Sequence, residues 1–325
     1  MTSDAAVMAQ NLGKSYRDGG TAAVADLDLI VPAGEIFGFL GPNGAGKTTT
    51  IGLLATLLRP TSGTAEVAGY DVVAEPDEVR RRIGLVFQES TLDGDLTAAE
   101  NLRFQADLFG IPRRAAKVTI DALLDLVDLA DRRDNPIRTF SGGMRRRLEI
   151  ARGLLPMPRV LFLDEPTTGL DPQTRVAIWE HLHRMRRDYG ITVFLTTHHL
   201  EEAENCDRIA IIDHAVVVAE GTPAELKTVV GADLVILRTG DDNAATRAIR
   251  DSFGIDATAD PAGVRLRVAD GAAFVPRLCA RISVPVHSVT VTPPTLDDVF
   301  LHYTGRTIRE ADLGPMTLAD LAARR

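Results

Sequence analysis

The chain has 325 residues, 45% of them apolar and 25% charged, a composition that fits a soluble globular protein with room for about two domains. Its 36 basic and 45 acidic residues leave a formal net charge of −9, which argues against a general nucleic-acid binder. No apolar run approaches the roughly 18 residues of a spanning helix, the start MTSDAAVMAQN has no secretory pattern, and Cys206 and Cys279 fit no metal spacing; the expectation is a cytosolic chain without a disulfide, acting on any membrane only through another chain.

Ile36 to Leu40 reads as a short apolar strand, and Lys47 to Leu58 as a helix. Between them stands GPNGAGKT, residues 41 to 48, which matches G-x-x-x-x-G-K-[ST] in the strand-to-helix setting that motif requires. Glycines let the backbone curl so that successive N–H groups face one centre, and the helix start adds positive potential there. Lys47 supplies a full charge for the outer phosphates of a nucleotide, and the Thr48 hydroxyl can ligate Mg²⁺. Ile83 to Phe87 is the next apolar run.

From Thr91 to Leu155 the pattern turns helical. Thr97 and Glu100 make a capping box ahead of Leu102, Phe104, Leu108 and Phe109, and Gly110 can end that helix. A second helix covers roughly Arg114 to Val127. A third begins at Ser141, with Met144, Leu148, Ala151 and Leu155 at helical spacing. In FSGGM, residues 140 to 144, Ser141 can cap the helix while Gly142 and Gly143 expose backbone N–H groups; this is either a second anion site or a plain cap. Arg145 to Arg147 read as a solvated helix face.

VLFLDE, residues 160 to 165, is a buried strand delivering Asp164 at its C-terminal end, where α/β sheets bind ligands. Asp164 can hold Mg²⁺ through water, and Glu165 is placed to orient or deprotonate an attacking water; a solvated acidic turn is the alternative. Ile191 to Leu195 and Ile209 to Ile212 are further strands, and together these runs predict a parallel sheet buried on both faces. Glu201, Glu202 and Glu204 read as the acidic start of a helix. After Gly221 come a strand at Asp233–Arg238, a helix at Ala244–Phe253, a strand at Val264–Val268, a helix at Ala272–Ile282 and a strand at Val286–Val291, a small α+β domain of βαββαβ form. The expected division is 1–227 with a helical insertion at about 91–155, then 228–304, then a loosely docked tail at 305–325.

The P-loop, the SGG helix and the strand ending in Asp-Glu, in this order, resemble the ATPase domain of an ABC transporter over about residues 5 to 225. The resemblance implies an α/β P-loop NTPase with a parallel core sheet, an antiparallel β subdomain and an inserted helical subdomain. It implies that Gln88 is the Q-loop glutamine, catalytic and facing Mg²⁺ with Thr48 and Asp164. Asp171, in GLD at 169 to 171, matches the D-loop. His198, after Thr196-Thr197, matches the switch histidine, with His199 as its rival. Tyr16 matches the aromatic that stacks on adenine, simple packing being the alternative. The nucleotide-binding set is then Tyr16, Gly41, Pro42, Asn43, Gly44, Ala45, Gly46, Lys47, Thr48 and Thr49, and the catalytic set Glu165, His198, Lys47 and Gln88.

The family's signature commonly reads Leu-Ser-Gly-Gly-Gln. Here Phe140 keeps an apolar anchor, while Met144 removes an amide, so Met144 is not expected to touch the nucleotide. The resemblance further implies a head-to-tail homodimer with ATP and Mg²⁺ between the P-loop of one protomer and Ser141, Gly142 and Gly143 of the other. TFSGGMRRRLEIARGL, and TPPTLDDVFLHYTG at 292 to 305, resemble ATPase subunits of ABC-2-type exporters of the daunorubicin-resistance, multidrug-efflux branch. That implies a separate polytopic permease at the cytoplasmic face of the membrane, no nucleic-acid partner, and export of a hydrophobic drug, antibiotic or lipid. The surface around Gln88 and residues 91–110, including Leu92 and Phe104, is where a permease would dock. A cytosolic ABC ATPase with a regulatory or remodelling role and no permease is the alternative. For the C-terminal domain the expectation is a structural or assembly role, with ligand binding as the alternative.

Overall fold

Apolar residues near the N-terminus recur with the period of a strand, and the segments pair accordingly. In the computed structural model, which describes residues 5–16 and 22–308, β1 (Ala5–Ser15) and β2 (Ala22–Pro32) form an antiparallel ribbon. Leu27, Leu29 and Val31 are buried while Asp28 and Ile30 between them are exposed. β3 (Ile36–Leu40) is buried throughout and runs through the glycine-rich turn into α1 (Lys47–Leu54). That helix ends before Leu58, because Thr56 takes a left-handed conformation, φ 63°. β4 (Ser62–Val67) and β5 (Tyr70–Asp71) complete an antiparallel sheet of order β2-β1-β4-β5.

α2 (Pro76–Arg80) leads to β6 (Ile83–Val86). Three helices follow, α3 (Ala98–Leu108), α4 (Arg113–Leu126) and α5 (Gly142–Leu154). The capping box at α3 forms as read: Thr97 Oγ1 accepts from the Glu100 amide, and the Glu100 carboxylate accepts from the Thr97 amide. Then come β7 (Val160–Asp164), α6 (Pro172–Tyr189), β8 (Thr192–Thr197), α7 (Leu200–Ala203), β9 (Arg208–Asp213) and β10 (Val216–Gly221). The second sheet has order β10-β9-β3-β8-β7-β6, parallel everywhere except between β9 and β10. The C-terminal ends of β3, β6, β7 and β8 therefore share one edge, and the loops leaving that edge carry residues 41–46, Gln88, Glu165 and His198. Under it, the Phe194 ring lies 5.5 Å, 5.7 Å and 5.5 Å from those of Phe37, Phe39 and Phe162, all four fully buried. This packing fixes the strand ends, and each such ring pair adds about 0.5–1.5 kcal/mol.

Packing divides the chain into two compact units, with the break at Pro223/Ala224 and the second unit ending at Thr307. α8 (Pro223–Val230) spans that break. The second unit holds β11 (Asp233–Thr239), α9 (Asp242–Phe253), β12 (Ala257–Asp260), β13 (Gly263–Val268), α10 (Gly271–Arg281), β14 (Val286–Thr292) and α11 (Leu296–Thr304). Its antiparallel order β12-β13-β11-β14 is that of a split βαβ, ferredoxin-like unit. Val235, Leu237, Val264 and Leu266 of the sheet pack against Ala245, Ile249, Phe274 and Leu278 of α9 and α10. Of the expected tail at 305–325, residues 309–325 lie outside the described residues.

Candidate functional site

The strand-to-helix turn is held from several sides. The Gly41 amide donates to Thr197 O at the end of β8, the Ala45 amide to Pro42 O, and the Ala215 amide to Ala45 O. Gly46 has φ 111°, and a Cβ there would lie 2.2 Å from Ala23 O, so only glycine fits. Asn43, Gly44 and Thr48 face solvent, while Gly41, Pro42, Ala45 and Lys47 are buried. The Lys47 ammonium donates to Gly41 O at 2.7 Å and Pro42 O at 3.1 Å, and lies 3.3 Å from Glu165 Oε1.

Glu165 follows β7 in a left-handed conformation, φ 45°, which is strained for a side chain of its kind. Its amide donates to Thr196 Oγ1, and its Oε2 accepts from Thr168 Oγ1 at 3.2 Å. His198 Nδ1 lies 3.1 Å from Oε1. Burial pushes the Glu165 carboxyl up, but Lys47 and His198 outweigh it and hold the group below the usual carboxylate range. Of the two adjacent histidines, His198 therefore faces Glu165, and the His199 amide bonds Thr197 Oγ1 ahead of α7.

Asp164 Oδ1 accepts from Thr196 Oγ1 at 2.5 Å and Oδ2 from Thr48 Oγ1 at 2.9 Å. That 2.9 Å is also the separation, about 2.9 Å, of neighbouring vertices of a Mg²⁺ octahedron, so the spacing and chemistry of this pair suit the ion once the hydroxyl proton turns away from Asp164. Tyr16 is 61% exposed, and its Oη lies 3.5 Å from Thr49 Oγ1, beside the start of α1. Gln88 is exposed in the loop after β6 and makes no hydrogen bond among the described residues.

Ser141 is exposed and caps α5 by accepting from the Met144 amide. Gly143 is buried, and a Cβ on it would stand 2.3 Å from Thr174 Cγ2 in the first turn of α6. Asp171 caps α6, accepting from the Thr174 amide and hydroxyl, and the hydroxyl bond is the main reason its carboxyl is held low. The first turns of α5 and α6 thus touch.

One sequence expectation needs correction. Of Arg145 to Arg147 only Arg145 faces water; Arg147 donates to Val127 O at 2.7 Å, and Arg146 is 6% exposed within a hydrogen-bonded cluster. One acceptor, Glu149, is three residues along the same helix, while the backbone acceptors Asp164, Pro166 and Phe87 lie 18 to 59 residues away. Glu201 and Glu202 stand in the first turn of α7 as read, but Glu202 is buried there: it is 1% exposed, hydrogen-bonded by Thr167 Oγ1 and 3.7 Å from Arg175. Burial raises its carboxyl to about 6.

A folded-state acid raised in this way favours the protonated form, so the protein loses stability as pH rises from the unfolded value through about 6. That rise corresponds to about 2 kcal/mol. Glu202→Gln is expected to be more stable than the parent at pH 8 by about 1–2 kcal/mol and level with it near pH 4, below the unfolded value. Parallel thermal melts at the two pH values check this.

A family model described as ABC transporter matches residues 24–168. The daunorubicin/doxorubicin resistance ATP-binding protein of Streptomyces peucetius is 46% identical over 308 residues, which is 92% of this chain and 92% of that protein. The Nod factor export ATP-binding protein I of Ralstonia nicotianae is 39% identical over 303 residues, 92% of this chain and 94% of that one. Among solved structures, a dimeric ATP-binding cassette in a post-hydrolysis state, bound to ADP and Pi, aligns with TM-score 0.60 and 28% identity over 66% of this chain and 98% of its own.

Proposed function

This chain belongs to the ATP-binding proteins of ABC transporters, and from that premise we propose that it powers export of a hydrophobic drug, antibiotic or lipid through a separate ABC-2-type permease. It is an ATPase of the ABC class. The observation that carries the export reading is the extent of the likeness to the drug-resistance protein, 92% of each chain, which takes in the second unit as well as the ATPase match. Among the described residues no helix is long and apolar enough to cross a membrane, consistent with a peripheral subunit on the cytoplasmic side.

Residues 1–227 bind and hydrolyse ATP, and 228–304 serve assembly. The amides of Gly44, Gly46, Lys47 and Thr48 and the Lys47 ammonium hold the phosphates, and Tyr16 stacks on the base. Thr48 and Asp164 hold Mg²⁺, with Gln88 approaching them from its loop; bound there, the ion supplies positive charge to the transferring phosphoryl group. Glu165 takes the proton of the attacking water, and His198 keeps that carboxylate in place. When phosphate draws Lys47 away, the Glu165 carboxyl loses the cation that most lowers it and becomes a better base. Ser141, Gly142 and Gly143 present the N-terminus of α5 to the ATP of a second protomer, and Asp171 faces that junction.

A groove of about 440 Å³ lies beside the Q-loop and takes in Leu57, Phe87, Thr91, Gln105 and Phe109. Phe87 and Phe109 are exposed there, and Phe104 and Leu108 extend the apolar surface along α3, whereas Leu92 is half-buried. Apolar side chains grouped in this way fit a short amphipathic helix of the permease. Phe104→Asp and Phe109→Asp are exposed changes and are expected to keep ATP turnover within about twofold while export falls about 30-fold, as for loss of an aromatic anchor. Efflux from cells and ATPase of the purified chain, measured side by side, test it; export unchanged in both variants would remove the groove from the docking surface.

A further inference from the structure

The signature helix carries a buried ion pair that the hydrolysis scheme above does not use. Arg146 and Glu149 stand one turn apart on α5, 6% and 3% exposed, with Nη1 and Oε2 3.1 Å apart. Burying two charges is costly unless their remaining hydrogen-bonding positions are filled. Here they are filled from two other segments. Arg146 Nε donates to Pro166 O at 2.7 Å and Nη2 to Asp164 O at 2.9 Å, so the guanidinium grips the backbone on both sides of Glu165. Nη1 also donates to Phe87 O at 2.5 Å, immediately before Gln88. Glu149 Oε1 accepts from the Thr91 amide at 3.2 Å, three residues after Gln88. Arg152, one turn further along α5, donates to Thr91 O at 2.8 Å.

The pair therefore spans the Q-loop from its first residue to its last, holds the peptide units around Glu165, and sits on the helix whose capped end begins at Ser141. Phe87 and Thr91, the two Q-loop contacts, also line the 440 Å³ groove. A guanidinium suits this work because its planar fork serves several carbonyls at once, which an ammonium cannot do in the same geometry. The strained φ of Glu165 adds to the need, since a residue held off its preferred conformation must be over-determined by its surroundings.

We infer that Arg146, paired with Glu149, is a positioning residue for hydrolysis: it couples the placement of the Q-loop, and so the state of the groove, to the placement of Glu165. The inference rests on the reading of Glu165 as the base. It predicts that loss of Arg146 lowers the rate of the chemical step and leaves nucleotide binding, which uses residues 41–49, almost untouched.

The test uses the purified full chain with ATP and Mg²⁺ and reads kcat, KM, the affinity for a fluorescent ATP analogue, and amide exchange of the 87–91 segment. Arg146→Met is expected to lower kcat about 100-fold, with KM and analogue affinity within about threefold, because a misplacement near 1 Å costs about that much. Arg146→Lys keeps the charge without the fork and is expected to recover about tenfold of that loss. Exchange at 87–91 should quicken in both variants. Glu149→Gln still accepts the Thr91 amide and can replace Arg146→Met if the latter does not fold; a kcat loss of about tenfold is expected. Glu165→Gln is run alongside. If Glu165→Gln turns over ATP like the parent, the reading of Glu165 fails by itself. If Glu165→Gln is inactive while folded Arg146→Met, or Glu149→Gln in its place, keeps the parent kcat, the positioning role is wrong. A fall in analogue affinity as large as the fall in kcat, or no recovery in Arg146→Lys, would reduce Arg146 to a structural residue and overturn the inference.

Discussion

Glu165→Gln is expected to lower ATP turnover about a thousandfold, within the range for removal of a general base, and to leave ATP affinity within about threefold. The amide is nearly isosteric and keeps an oxygen for the Thr168 hydroxyl. Only the charge goes, and with it the proton acceptor. Lys47 loses the carboxylate 3.3 Å away and is freer to meet phosphate, so binding should not weaken. Phosphate release and equilibrium nucleotide binding, measured on the same preparation, separate the two effects. The substitution has a pH signature too. Glu165 is held below the usual range in the folded protein, so its contribution to stability is present above about 4.5 and is lost as pH falls through the folded value. The variant should show less acid destabilisation in that window.

Lys47→Ala is expected to weaken ATP binding about 100-fold or more, equivalent to about 3 kcal/mol, the size of one strong charge-assisted hydrogen bond. The side chain is buried and its donors already converge on the turn, so little ordering is left to be done when phosphate arrives. The change also strands Glu165. Burial is the largest influence on that carboxyl, and with Lys47 absent it is opposed by His198 alone among the nearby cations. The group should titrate higher, and the variant should lose more stability on going from pH 5 to pH 8 than the parent does. Binding titrations with an ATP analogue and melts at the two pH values check both effects. Normal affinity in a folded variant would contradict the role given to the turn.

The parts of the site that were legible share a property: their signals are local. The P-loop is a run of eight residues between a strand and a helix, and the helix caps at Thr97 and Ser141 are read from residues three apart. The strand VLFLD is apolar up to the acid that ends it, and it occupies 160–164 in the fold. What stayed hidden depends on distant partners. Arg146 looks like a surface residue until Phe87, Asp164 and Pro166 are brought to it. A signal did exist: Arg146, Glu149, Ile150 and Gly153 form a second stripe at helical spacing, and all four are buried. The apolar stripe at 144, 148, 151 and 155 drew the reading to the other face. Glu202 hid for the same reason, since its acceptor role toward Thr167 bridges 35 residues.

In the second unit the helices and the long strands were legible because Val235 and Leu237, or Val264 and Leu266, alternate with exposed or half-exposed residues. β12 was not assigned a range, because its four residues ATAD bury only Ala257 and show no alternation. Its pairing with β13 comes from the tight turn at Asp260–Gly263, where the Ala262 amide donates to Asp260 Oδ1. Helix α1 was expected to reach Leu58 because Leu53, Leu54, Leu57 and Leu58 keep a helical apolar pattern. The left-handed turn at Thr56 ends it earlier, a conformation that a threonine in an apolar run does not announce.

The measurement that tests the account most directly joins hydrolysis to transport. A tagged Glu165→Gln chain, which should hold ATP without turning it over, is expressed in its native cell, membranes are solubilised with ATP present, and the co-purifying proteins are identified. The account predicts a polytopic membrane protein in near-equal amount, retained with ATP. A dimer recovered only from the soluble fraction, with no membrane protein attached, would contradict it.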